Sequence, residues 1–277
     1  MIEQKIKSLP IRSFRMKGVD GIIARREPID PAFNVDGLPN PFNVYFPVQI
    51  TNIYSQTIYV TARLVNPPSG WIDSEQDLAT ITPSDSVRTE KSNASRNIPS
   101  TPSSESITVR FNYRTGSYAG PIIGYDDFVF TIYWESVVNG GIIDMIDDFE
   151  TDFEGWVASG VDLYRMSGTY VHGNYSLLVE VGPSSTGRIS KSIVIGSGSR
   201  AYLFGFYRRT IHGDGSIDTI TSPVDKLTIA YSPVGVWRRF GVRLVPGSEN
   251  TVTISFNNTT NYWQQVWFDY LQWVHFP

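Results

Sequence analysis

Apolar and polar residues alternate with a period of two in stretch after stretch of this chain. Val48 and Ile50 alternate with Gln49 and Thr51, and Ile58, Val60, Ala62 and Leu64 with Tyr59, Thr61 and Arg63. Ile107, Val109, Phe111 and Tyr113 repeat the pattern, as do Phe128, Phe130, Ile132 and Trp134. Runs of this kind place one face of an antiparallel strand in a core and the other in water. The same rhythm returns at Leu177, Val179 and Val181, at Leu227, Ile229 and Tyr231, at Phe240, Val242 and Leu244, and at Val252, Ile254 and Phe256. The chain is therefore read as all-β.

A length of 277 residues exceeds one ordinary sandwich and suits two domains. Turn clusters such as Asn66-Pro67-Pro68-Ser69-Gly70-Trp71 separate the runs. Ser84 to Ser106, rich in Ser, Thr, Asn and Pro, reads as a long polar excursion. The expected organisation is an extended basic, Pro-rich arm over 1–40, an Ig-like β-sandwich over 41–138, a linker over 139–147 and a jelly roll over 148–277. With no cysteine, neither disulfides nor thiolate metal sites contribute. No apolar run reaches the length of a transmembrane helix, and the N-terminus lacks the pattern of a secretory signal peptide.

The charge is uneven. Residues 1–26 hold seven Lys or Arg against Glu3 and Asp20, whereas the whole chain is at −4. A basic arm on an acidic body suits docking on a neighbouring subunit. No helix-turn-helix, zinc or RNA-binding signature accompanies it, so nucleic acid is not the expected partner.

Residues 44–135 resemble Ig-like accessory domains of extracellular proteins, through the Ile50-Thr51-Asn52 strand, the Val60-Thr61-Ala62-Arg63-Leu64 strand, the Pro68-Ser69-Gly70-Trp71 loop and Ile81-Thr82-Pro83-Ser84. The resemblance implies a spacer or display role.

Six features fall in a fixed order after Asp148. They are Phe149-Glu150 with Gly155-Trp156, then Gly173-Asn174-Tyr175-Ser176-Leu177, then Arg188-Ile189-Ser190 with Ile193 and Ile195. Next come Tyr202-Leu203-Phe204-Gly205-Phe206-Tyr207 and Trp237-Arg238-Arg239-Phe240, and last Thr251-Val252-Thr253-Ile254-Ser255-Phe256 with Phe268-Asp269-Tyr270. In this order they resemble jelly-roll carbohydrate-binding modules of the galactose-binding-like fold. The resemblance implies that Trp156 and Trp237 are core. It also implies a structural Ca2+ at Glu150, the Gly173-Asn174 loop and Asp269, with Tyr270 standing where the family often has a second Asp.

Sugar recognition rests on exposed rings and a few polar groups. Tyr262 and Trp263 follow the polar loop Asn257-Asn258-Thr259-Thr260-Asn261 and are the leading candidates, with Tyr164, Tyr170 and Arg208 as further ones. Any of these rings is also a candidate for plain packing.

Catalytic readings find no pattern. His172, His212 and His275 lack zinc spacing, and no Gly-x-Ser-x-Gly elbow occurs. The acidic run Asp147, Asp148, Glu150, Asp152 and Glu154 lies on one segment, whereas glycosidase carboxylates oppose each other across a cleft. His212 to Asp218 is a glycine-rich turn whose two Asp invite calcium, beside the plainer reading of a hairpin loop. The expectation is a non-catalytic structural or adhesion protein. As a virion component (capsid, decoration, tail or fibre subunit) it self-assembles into a homo-oligomer and displays the jelly roll towards a surface glycan, at the virion or extracellular surface. A secreted carbohydrate-binding accessory protein, or a fragment of a glycoside hydrolase, is the second reading.

Overall fold

Twenty strands and no helix form among the described residues, as the alternating sequence requires. The structure, a computed structural model, describes residues 21–26, 31–210, 218–229 and 235–277. No helix among them is long and apolar enough to cross a membrane. They divide into two units. Unit one takes residues 21–26, 39–98 and 106–131, and unit two takes 31–38, 99–105 and those from 132 onward.

In unit one, β1 (Ile22–Arg26), β3 (Phe42–Asn52), β7 (Ser86–Arg96) and β5 (Trp71–Ile72) make one sheet in the order β1-β3-β7-β5. A second sheet runs β9-β8-β4-β6, from β4 (Ile58–Val65), β6 (Gln76–Ile81), β8 (Ser103–Thr115) and β9 (Ile122–Glu135). The inward residues of the alternating runs are buried, and Phe46 meets Phe130 edge-on at 5.1 Å between the sheets. The Ser84–Ser106 stretch is not an excursion. Its first half is β7, paired with β3 from Phe42↔Arg96 to Thr51↔Ser86, and its end opens β8. Its apolar signal is weak because Lys91 fills a core position. That ammonium is fully buried, 2.6 Å from Asp73 Oδ1, and donates to Ser74 O and Asn93 Oδ1.

Unit two is a second sandwich. One sheet runs β12 (Asp162–Ser167), β13 (Tyr175–Val181), β20 (Gln264–Phe276), β15 (Arg200–Thr210), β18 (Arg238–Leu244). The other runs β11 (Val157–Ser159), β14 (Ser185–Val194), β19 (Glu249–Asn258), β16 (Thr219–Thr221), β17 (Lys226–Thr228). Leu177, Val179, Leu203, Val242, Ile254 and Phe268 lie in the core between them, with Phe149 and Trp156. Trp237 is only half-buried and stands outside that core, contrary to the reading from the Trp-x-x-Phe motif.

The segment read as a linker is structured. Ile142–Asp147 is strand β10, antiparallel to the C-terminal half of β20. Of the segment read as an arm, residues 1–20 and 27–30 lie outside the described residues. Its remaining parts form β1, paired with β3, and β2 (Ala32–Asn34), parallel to Tyr133–Glu135.

A bulge divides β20. The register against β15 slips between Phe204 and Phe206, and Tyr270 takes φ +48° there. Before the slip Val266 and Phe268 point into the core; after it Leu271 and Trp273 do. One inserted residue thus exchanges the faces. On the sheet's outer side beyond the bulge, Tyr202, Phe204, Val274 and Phe276 are buried under Ala32 and Val137. A Cβ on Gly241 would meet Ala32 O at 2.4 Å, so glycine is needed where β2 crosses β18. Arg239 fixes the crossing by donating to Asp36 O at 2.8 Å and Gly37 O at 2.9 Å. Half of the outer face is therefore closed by unit two's own chain.

Candidate functional site

The other half of that outer face carries the candidate site. Leu163, Leu177, Val179, Tyr207 and Phe268 face the core, so their chain neighbours face outward. The register pairs Tyr164 with Leu178, Leu178 with Trp267 and Trp267 with Arg208. Tyr164, Leu178, Trp267 and Arg208 thus form one row across β12, β13, β20 and β15. The next row along β13 and β20 is polar, with Gln265 Nε2 donating to Glu180 Oε1. Beyond it Trp263 ends the face. Its ring lies over Gly182, where a Cβ would sit 3.8 Å from the indole. Trp263 immediately precedes β20 and lies four residues before Trp267, about 13 Å at ~3.3 Å per residue if the chain stays extended.

The rings differ in exposure. Tyr262 and Trp263 are 66% and 57% exposed, large values for aromatic side chains, and Tyr164 is 44% exposed. Trp267 is nearly covered, with the Arg208 guanidinium 5.5 Å from its ring centre. Arg208 is half-buried, and its Nε donates to Gly235 O at 2.9 Å.

The loop bearing Tyr262 and Trp263 is rigidly mounted. Asn258 is buried, and its Nδ2 donates to Gly182 O at 2.9 Å and Tyr262 O at 2.8 Å. Its Oδ1 accepts from Thr260 N at 3.0 Å, and Ser184 N donates to Thr260 O at 2.9 Å. Next along the chain from Trp263, Gln264 donates through Nε2 to the buried Asp218, which lies 3.3 Å from Arg209 Nη2. Burial pushes the Asp218 carboxyl up to about 6, with Arg209 acting against that rise. Exposed rings on a braced loop reach a ligand with little ordering left to do.

Tyr170 is exposed on the loop before β13, with no described contact to the row. That loop is gripped by the residues read as a calcium set. Glu150 Oε1 accepts from Asn174 N at 2.6 Å and Tyr175 N at 3.0 Å, and its Oε2 accepts from Asn174 Nδ2 at 3.3 Å. Gly173 passes so close that a Cβ would reach Glu150 Oε1 at 2.2 Å. Asp269 Oδ2 accepts from Val171 N and, at 2.9 Å, from His172 N. The Asn174 amide hydrogen bond is the main cause holding the Glu150 carboxyl below its usual range, and burial raises that of Asp269. Calcium requires six to eight oxygens. Here three of four carboxylate oxygens face N–H donors, so the set as folded is a hydrogen-bonded clasp. Asp269 Oδ1, buried without a partner, is the carboxylate oxygen of this set left open to a cation.

The acidic run is also structural. Asp147 is fully buried; its Oδ2 accepts from Trp156 Nε1 at 3.0 Å and Trp273 Nε1 at 2.9 Å, and its Oδ1 from Lys191 Nζ. No group of three or more His, Asp or Glu fit to hold a metal occurs among the described residues. The glycine-rich turn at 212–217 lies outside them.

Trp267, Leu178, Glu180 and Gln265 were missed by sequence reasoning. The alternation of Trp263, Gln265, Trp267 and Asp269 was a usable signal, since it puts two indoles on one side of the chain entering and forming β20.

No family model matches the sequence, and no curated protein matches it. The solved structures to which the chain is similar include carbohydrate-binding modules. A family 61 module in complex with β-1,4-galactotriose is 14% identical, covered over 94% of its length by 47% of this chain, with a TM-score of 0.37. The family 22 xylan-binding domain of Paenibacillus barcinonensis is 16% identical, with 96% of it and 50% of this chain covered and a TM-score of 0.36. A structure described for the promiscuous specificity of modules from the β-sandwich superfamily is 12% identical and spans 91% of this chain and 97% of its own, with a TM-score of 0.39.

Proposed function

We propose that this chain is a non-catalytic adhesion protein that holds a glycan against the half of unit two's outer sheet face that β2 does not cover. The observation that carries the proposal is the placement of Trp263 on a braced loop, at the end of the same face that bears Tyr164, Trp267 and Arg208. Flat apolar rings stack on sugar faces, and the Glu180–Gln265 pair beside them offers hydrogen bonds to hydroxyls. Single sites of this kind bind weakly, so the protein acts as repeated copies on a virion or extracellular surface, where avidity multiplies affinity.

A glycan array probed with the full chain tests this reading. Wild type is expected to retain a set of oligosaccharides, and Trp263→Ala to lose about tenfold or more in affinity, equivalent to ~1.4 kcal/mol, at unchanged melting temperature. No retained glycan, or retention indifferent to Trp263→Ala and Tyr164→Ala, overturns it. Light scattering of the full chain against one lacking residues 1–20 checks self-assembly. Two identical monomers remove the repeated-copy part of the reading.

A further inference from the structure

This face has two hydrogen-bonding groups, both donors, without acceptors in one place, and that asymmetry constrains the ligand. Arg208 is half-buried across the ring of Trp267, and its described contacts are that ring and Gly235 O through Nε. Among the described residues no carboxylate pairs with it. In the same ring, Trp267 Nε1 is buried with no hydrogen-bond partner. A guanidinium and an indole N–H are donors only, and neither accepts anything in return. Buried donors are normally satisfied, so an orphan next to an unpaired cation marks the position of an acceptor supplied from outside.

Among the described residues the carboxylates of the same face do not pair with Arg208. Asp269 turns Oδ2 to the amides of Val171 and His172, and Glu180 accepts from Gln265. Asp162 pairs in register with Glu180 on the far edge strand. The face is therefore cationic on the β15 side and acidic on the β12–β13 side.

We propose that the face selects a glycan bearing a carboxylate sugar, with the carboxylate bound by the Arg208 guanidinium above Trp267. The proposal rests on the glycan-binding reading and adds the class of sugar. In this proposal Trp267 Nε1 becomes the second donor once the Arg208 side chain shifts to meet the carboxylate, and the neutral part of the glycan runs along Gln265 towards Trp263.

Titration calorimetry of the full chain with two ligand pairs tests it: oligogalacturonate against its methyl ester, and sialyllactose against lactose. Within each pair the acidic charge is removed, and the pairs separate a uronate from a sialate source. The acidic member of at least one pair is expected to bind ten times tighter or more, the preference shrinking as salt rises. Arg208→Gln is expected to abolish the preference. Trp267→Phe keeps the ring without its N–H and is expected to reduce the preference severalfold, which guards against Arg208→Gln failing to fold. Equal binding of acidic and neutral members, or a preference that survives Arg208→Gln in a folded protein, overturns the proposal and leaves glycan binding standing. Binding of neither pair, with no retained glycan on the array, overturns both.

Discussion

Glu154 shows what one side chain does in a tight acidic corner. Its Oε1 accepts from Phe149 N at 3.0 Å. Burial first, and then the carboxylates of Asp148 and Asp147, push its carboxyl up to about 8 from an ordinary 4.5. A carboxyl that holds its proton more tightly folded than unfolded contributes fully below its unfolded value, and the contribution is lost as pH rises through the folded one. The melting temperature should therefore fall between about pH 5 and pH 9, with the raised carboxyl of Asp218, near 6, adding to the lower part of that fall. Glu154→Gln mimics the protonated side chain, and should flatten the upper part of that fall, around pH 8, when thermal melts are compared across the range. An equally steep fall in the variant places the titration elsewhere.

The individual residues of the candidate site were only partly legible. Tyr262 and Trp263 stood out because polar Asn and Thr precede them, and both prove exposed. Trp267 looked like any strand aromatic, because whether the outer side of a strand is open depends on what another segment lays over it.

At the scale of elements, the loop before β13 is held at both ends by side chains from other strands. Glu150 grips it near Asn174, and Asp269 grips it near Val171. Asp269→Ala strands two amides of that loop, a loss of about 1–3 kcal/mol, visible as a lower melting temperature and faster hydrogen exchange at Val171 and His172. A chelator is expected to leave the melting temperature unchanged, because most of the carboxylate oxygens are already turned to N–H groups. A drop of several degrees would instead place a cation at Asp269 Oδ1. The alternating strands were readable as elements from sequence alone. β7 was not, since Lys91 interrupts its apolar face and is tolerated only because Asp73, Ser74 and Asn93 surround its ammonium. β10 was missed for a different reason. Ile142-Ile143-Asp144-Met145-Ile146 does not alternate, and it pairs with β20 across a register slip.

At the scale of the whole chain, unit two does not begin at the Phe-Glu motif. It needs β10 for Asp147, which holds two indoles and Lys191, and it needs residues 31–38 and 132–138 to cover Tyr202, Phe204, Val274 and Phe276. A chain of residues 148–277 leaves Lys191 a buried cation without its partner, a loss of about 3–5 kcal/mol, set against a typical domain stability of about 5–15 kcal/mol. Such a chain is expected to aggregate or to melt without cooperativity in calorimetry. If it melts as unit two does in the full chain, the outer layer and β10 are dispensable.

The amino-acid order by itself determined that this protein is built of strands, and which side of most strands is apolar. Both follow from a local period of two between neighbouring residues. It could not determine which strands lie side by side. Tyr164, Leu178, Trp267 and Arg208 meet because β12, β13, β20 and β15 pair in one particular register, and slipping any of them by one residue would send its site residue into the core. Nor could it determine where that face stays open. The bulge at Tyr270 and the crossing of β2 over Gly241 decided that, by closing one half of the sheet.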